Sequence, residues 1–241
     1  AQMVAEGRSG IESLSGIPGS VGATPIQNVG AYGQEVAETI AGMRVLVRRT
    51  GEITTWPAAQ AQFGYRSSFF KKHPGEYVVL AVAFDLPEGL SAPVKYAELA
   101  GLLQVELGQR VPVDAVRKAV LELRRGKGMV LDPTDPDTRS AGSFFTNPIV
   151  DHAPEGAPGW PQPDGRVKTS AAWLIERAGI HKGFALPGSG AAVSSKHTLA
   201  LTNRGGTTED LLDLARHIRS RVVDVFDVVL QPEPVLWGCS L

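Results

Sequence analysis

The chain has 241 residues, 43% hydrophobic and 20% charged, enough for a real core in one large domain or two modest ones. Its 24 basic and 25 acidic side chains leave a formal net charge of -1, which excludes an overall field that would gather nucleic acid or an anionic membrane surface. The one cysteine, Cys239, excludes an internal disulfide and fits a reducing, cytoplasmic setting, and no apolar run approaches the roughly 20 residues of a membrane-spanning helix.

The opening "AQMVAEGRSG" reads as the last turns of a helix closed by Gly7 or Gly10, so a further segment is expected before Ala1. "SGIPGSVGATPIQNVGAYG" (15–33) then carries five glycines, two prolines and no charge. It is either a connecting loop or bare backbone against which a ligand lies, since glycine lets peptide N–H groups approach closely. It matches neither G-x-G-x-x-G nor the lysine-bearing phosphate loop. "AGMRVLVRRTGEITTWP" (41–57) alternates around Thr50–Glu52 as a hairpin does. "EYVVLAVAFDLP" (76–87) is a near-continuous apolar run, as a buried strand shows. "EGLSAPVK" (88–95) has no period and is read as a domain boundary.

Beyond it the period turns helical. "VPVDAVRKAVLELRRGKG" (111–128) places Val113, Val116, Val120 and Leu123 on one face and ends in basic residues and glycine. Residues 140–168, rich in Pro, Gly and Asp, read as loop with short strands. "SAAWLIERAG" (170–179) is a short helix capped by Gly179. "GTTEDLLDLARHIRSRVVDVF" (206–226) opens on a threonine cap with acidic residues in its first turn. Pro232 and Pro234 keep "DVVLQPEPVLW" (227–237) extended. The class is α+β in two parts.

Three residues stand out chemically. Arg66 in "FGYRSSFFKK" could clamp a carboxylate through its forked donors, or be a plain surface arginine. Ser143 in "RSAGSFFTNP" precedes two large aromatics, so its hydroxyl is either a structural group at a strand start or a proton donor; it is not in a nucleophile elbow. Glu233 sits between prolines in an apolar stretch, where a carboxyl must be paired or kept protonated. His73, His152, His181, His197 and His217 have no metal-ligand spacing, and no metal site is expected.

Taken in order, "SGIPGSVGATPIQNVGAYG", "FGYRSSFFK", "RSAGSFFTNP", "WPQPDGRVKTSAAWLIERAGIHKG" and "LQPEPVLW" resemble the motifs of the UDP-N-acetylenolpyruvoylglucosamine reductase (MurB) family over essentially the whole chain. The resemblance implies a vanillyl-alcohol-oxidase-like FAD-binding part (1–92) and a substrate-binding domain (93–241) whose residues 226–241 return towards the flavin. It implies that NADPH reduces FAD and departs, that UDP-N-acetylglucosamine enolpyruvate takes its place, and that hydride from flavin N5 and a proton then yield UDP-N-acetylmuramate for peptidoglycan. The protein would be a cytoplasmic monomer, with no nucleic-acid or membrane partner.

On the same resemblance, Arg66 and Glu233 are the electrophilic groups at the enolpyruvyl carboxylate and Ser143 is the proton donor. Ile17, Pro18, Gly19, Gly22, Ala23, Ile26, Gln27 and Gly30 line FAD. Tyr96 in "VKYAEL" closes on the substrate, Asn147 contacts it, and Lys127 takes the diphosphate. Two departures are visible. The family's "GGGSN"-type motif is absent from these residues, and Pro234–Trp237 stand where the family often has an arginine. The alternatives left open are a non-catalytic UDP-sugar-binding fragment and another oxidoreductase of the same flavin superfamily.

Overall fold

A computed structural model describes residues 1–241. The chain forms two compact units, residues 1–124 and 125–241, of mixed helix and sheet.

In the first unit, helix α1 (Gln2–Ala5) ends before Gly7 and Gly10, both with positive φ. Strands β1 (Gly30–Ala31) and β2 (Gln34–Glu35) form a tight antiparallel hairpin. Its two turn residues, Tyr32 (φ 51°) and Gly33 (φ 81°), are both left-handed, the geometry that matches strand twist in two-residue hairpins. Strands β3 (Ile40–Val47), β4 (Ile53–Pro57) and β5 (Tyr77–Phe84) make an antiparallel sheet in the order β4-β3-β5. The expected hairpin is therefore β3–β4, with Gly51 at φ 74° supplying the left-handed turn position. Helix α2 (Phe69–Lys72) follows β4. Val36, Ile40, Met43, Val45, Ala61 and Phe70 form the core beneath the sheet.

The apolar run 76–87 is not buried on both faces, as its composition led us to expect. β5 is an edge strand whose burial alternates, and Val78 and Leu80 remain 41% and 46% exposed. The stretch 88–95 is tied to the rest of the first unit. The buried Glu12 carboxylate accepts the Gly10 N–H (2.5 Å) and the Ala92 N–H (2.9 Å), while the fully buried Ser91 accepts the Val111 N–H. Helices α3 (Ala97–Leu103) and α4 (Val113–Gly126) then enclose a second apolar cluster around Leu99, Val116 and Val120, with Tyr32 against it.

The second unit carries a small sheet ordered β6 (Ile149–Val150), β8 (Val167–Thr169), β7 (Gly159–Pro161), and a hairpin of β9 (Ala191–Val193) and β10 (Leu201–Asn203). Helix α5 (Ala171–Arg177) is capped by Ser170, whose hydroxyl accepts the Trp173 N–H. The 19-residue α6 (Thr208–Phe226) opens on a capping box between Thr207 and Asp210. Leu214, Ala215, Ile218 and Val222 of α6 pack with Leu174, Ile175, Val193 and Phe145 in the core of this unit. No helix is long and apolar enough to cross a membrane.

Candidate active site

In the first unit the arginine motif is built directly onto the glycine-rich segment. Ser68 caps α2 by accepting the Lys71 N–H, and donates its own hydroxyl to the Ile26 carbonyl at 2.6 Å. Gly64 and Ser67 exchange backbone hydrogen bonds of 3.0 and 3.1 Å, closing a turn that holds Arg66 at φ 49°. That conformation is costly for a residue with a Cβ. The guanidinium donates to the Gly30 carbonyl at 2.8 Å and lies 5.4 Å from the Tyr65 ring, while Lys71 Nζ donates to the Arg66 carbonyl. Arg66 is thus a cation whose direction is fixed by its own neighbours.

Asn28 performs the joining. Only 1% exposed and left-handed at φ 49°, it donates to Glu35 (2.7 Å) and the Gly64 carbonyl (3.1 Å), and accepts the Ala37 N–H (3.1 Å). Sequence reading passed over it; the available signal was the tolerance of asparagine for the left-handed region. Tyr32 was also missed. Its ring meets Tyr96 edge-to-face at 5.4 Å, which brings the expected substrate-closing tyrosine, itself 42% exposed, onto the glycine-rich segment. Burial pushes the Tyr32 phenol up to about 12, against the pull of Arg124. Arg124, 9% exposed, donates to the Gly16 carbonyl at 3.4 Å; burial lowers its pKa and Tyr32 raises it.

The glycines of this segment serve different ends. A Cβ on Gly22 would stand 3.0 Å from the Val79 carbonyl oxygen, and one on Gly30 2.8 Å from that of Gln34, so both are glycine because protein lies against them. Gly19, at φ 122°, has nothing within 4 Å of its Cβ position. Pro18, Gly19, Ser20, Val21 and Ala23 are exposed, whereas Ile17, Ile26 and Gln27 are half-buried.

The second unit brings together Ser143 and Glu233. Ser143 pairs with Ala200, Phe144 N–H donates to the Leu199 carbonyl at 2.7 Å, and Phe145 pairs with Pro232. The Glu233 N–H donates to the Phe144 carbonyl at 2.8 Å, so the backbone at Glu233 runs beside Phe144, the residue after Ser143. Phe144 and Phe145 are buried and stacked edge-to-face, while Ser143 and Glu233 are half-buried. The Asn147 side-chain oxygen accepts the Ala171 N–H at the start of α5, which fixes its orientation. Lys127 is half-buried and precedes Gly128, whose left-handed backbone (φ 66°) runs against Asp137; a Cβ there would stand 3.1 Å from that of Asp137. Sequence reading passed over Asp137.

The two units, each of mixed helix and sheet with its own arrangement of fixed polar groups, define the class as a two-unit α+β protein, and comparison with known proteins gives it a family. Residues 132–237 match the UDP-N-acetylenolpyruvoylglucosamine reductase C-terminal domain. The UDP-N-acetylenolpyruvoylglucosamine reductase of Streptomyces avermitilis is 56% identical over 260 residues, covering 100% of this chain and 71% of that protein. The same-named proteins of Salinispora arenicola (56% over 255 residues; 100% and 70%) and Mycobacterium tuberculosis (53% over 259 residues; 99% and 69%) are similar in the same way. The crystal structure of UDP-N-acetylenolpyruvylglucosamine reductase from Thermus caldophilus covers 98% of this chain and 67% of its own, with a TM-score of 0.64 at 24% identity, a likeness of fold. The chain belongs to the UDP-N-acetylenolpyruvoylglucosamine reductase family.

Proposed function

We infer that the protein reduces UDP-N-acetylglucosamine enolpyruvate to UDP-N-acetylmuramate, with FAD as cofactor and NADPH as co-substrate, in cytoplasmic peptidoglycan precursor synthesis. One observation carries the reading most: Ser143 and Glu233, about 90 residues apart, lie on hydrogen-bonded neighbouring segments.

The residues present fit a flavin. The run Gly16–Ala23 is uncharged and mostly exposed, with open space at Gly19, so it offers side-chain-poor backbone to a planar aromatic ligand. Ile17, Pro18, Gly19, Gly22, Ala23, Ile26, Gln27 and Gly30 would hold it in a vanillyl-alcohol-oxidase-like domain, taken by role as residues 1–92 with the substrate domain at 93–241. When bound, FAD supplies the hydride taken from NADPH. Arg66, braced by Gly30 and Tyr65, sets a fixed positive charge for the enolpyruvyl carboxylate, where negative charge grows during reduction. Glu233 is the second electrophilic group at that carboxylate. Ser143 Oγ gives its proton to the adjacent carbon; a serine is a weak acid, but an enolate is a strong base. Lys127, Asn147 and Tyr96 bind the sugar nucleotide.

The test separates the half-reactions in the flavin-loaded protein. Ser143→Ala leaves bleaching of the flavin by NADPH within about twofold and slows its reoxidation by the enolpyruvyl sugar nucleotide by about 100-fold or more. Equal slowing of both steps would overturn the assignment. A purified protein that shows no flavin absorption yet binds the UDP-sugar would overturn the enzyme reading in favour of a binding fragment.

A further inference from the structure

We propose that Asp137 is a positioning residue that holds Ser143 in place for proton transfer, an inference that rests on the reductase reading above. Its carboxylate is 3% exposed and fully engaged. Oδ2 accepts the Ser195 hydroxyl at 2.5 Å, while Oδ1 accepts the Ser195 N–H and the Arg204 guanidinium, each at 3.2 Å. Ser195 begins the turn that joins β9 to β10, and Arg204 follows β10 directly, so a single carboxylate grips the hairpin at two places.

The strand that carries Ser143 leans on that same hairpin. The Arg139 carbonyl accepts the Asn203 N–H at 2.9 Å, Ser143 pairs with Ala200, and the Phe144 N–H reaches the Leu199 carbonyl. Ala200 is itself fixed by the turn that Asp137 grips, since the Ser194 N–H donates to the Ala200 carbonyl at 2.8 Å and the Ala200 N–H donates to His197. The neighbour on the other side of Asp137 is rigid too. Asp135 caps the short 3-10 turn Pro136–Thr138 by accepting the Asp137 N–H, and is paired with Lys196 at 2.5 Å. Between the two anchor points lies only Ser140–Gly142, with Gly142 at φ 80°. Such a short span transmits an error at Asp137 directly into the location of Ser143 Oγ, and a displacement of about 1 Å at a reacting group costs on the order of 100-fold in rate.

The experiment is a double-mutant cycle in the flavin-loaded protein, read by stopped-flow at saturating substrate. Asp137→Ala is expected to slow reoxidation by the enolpyruvyl sugar nucleotide about 10- to 100-fold while reduction by NADPH stays within about twofold. Asp137→Asn, which keeps one acceptor, loses less and serves should the alanine variant fail to fold. In the Ser143→Ala background either substitution adds no further slowing, because its effect runs through that serine. Amide exchange gives a reading independent of flavin: the Phe144 and Asn203 amides exchange faster in both Asp137 variants, and those of the first unit do not. Additive losses in the cycle, equal loss in both half-reactions, or unchanged exchange at Phe144 would each overturn the proposal. If the unsubstituted protein performs neither half-reaction, it is the reductase reading that fails, and this proposal falls with it.

Discussion

Asn28 shows how much one side chain can carry. Its amide closes three hydrogen bonds around the joint between the glycine-rich segment and the Arg66 turn, and it does so from a backbone conformation that most residues avoid. Asn28→Ala is expected to cost about 1–3 kcal/mol in denaturant-midpoint measurements, because three part-buried hydrogen bonds, to Glu35, the Gly64 carbonyl and the Ala37 N–H, are lost together. Asp137 makes a different kind of residue-level claim. Burial pushes its carboxyl up, but the Ser195 hydroxyl and amide and the Arg204 guanidinium outweigh that and hold it below the usual carboxylate range. A folded-state value below the unfolded value of about 3.9 means that its contribution to stability is complete above that pH and is lost as pH falls through the window beneath it. The Asn variant lacks this titration. The gap in melting temperature between the unsubstituted protein and Asp137→Asn therefore narrows as the pH is lowered below about 4, and a gap that stays constant with pH would contradict the assignment.

Among the elements, those whose causes are local were legible in the sequence. The β3–β4 hairpin, α4 and α6 follow from alternation, helical period and capping residues within a single stretch of chain. The exposure of β5 was not legible, because an edge position depends on which strands pair, and its composition is that of a strand covered on both faces. The partners of Arg66 were hidden for the same reason: Gly30 is 36 residues away, and nothing in "FGYRSSFFKK" names it. Close backbone crossings are equally silent. A Cβ on Gly190, at the start of β9, would stand 2.2 Å from Gly206 Cα just ahead of the Thr207 cap of α6. Because backbone cannot move aside as a side chain does, Gly190→Ala is expected to cost at least the upper end of about 1–3 kcal/mol, read as a lowered denaturation midpoint.

At the scale of the molecule, each unit has a hydrophobic core of its own. Calorimetry is accordingly expected to resolve two unfolding transitions, as is common when cores are separate. Val45→Ala lowers only the transition of residues 1–124, and Ile218→Ala, at about 2–5 kcal/mol, only that of residues 125–241. A single transition shifted by both substitutions would show that the cores unfold together. The divided architecture also explains why the expected site residues read as isolated hints until assembled by motif order: Arg66 and Tyr96 belong to one unit, Ser143, Asn147 and Glu233 to the other.

The pairing of the Ser143 strand has a consequence in time. Its first neighbours, Leu199 and Ala200, are made almost 60 residues after it, and Glu233 about 90 residues after it. At roughly 5–20 residues per second on the ribosome, Ser143 waits some 5–18 seconds before Glu233 exists. During that interval Phe144 and Phe145, the most apolar part of the site, have no hairpin to cover them. The same two rings that finish as the floor of the second unit are, in the nascent chain, a patch for a chaperone to hold.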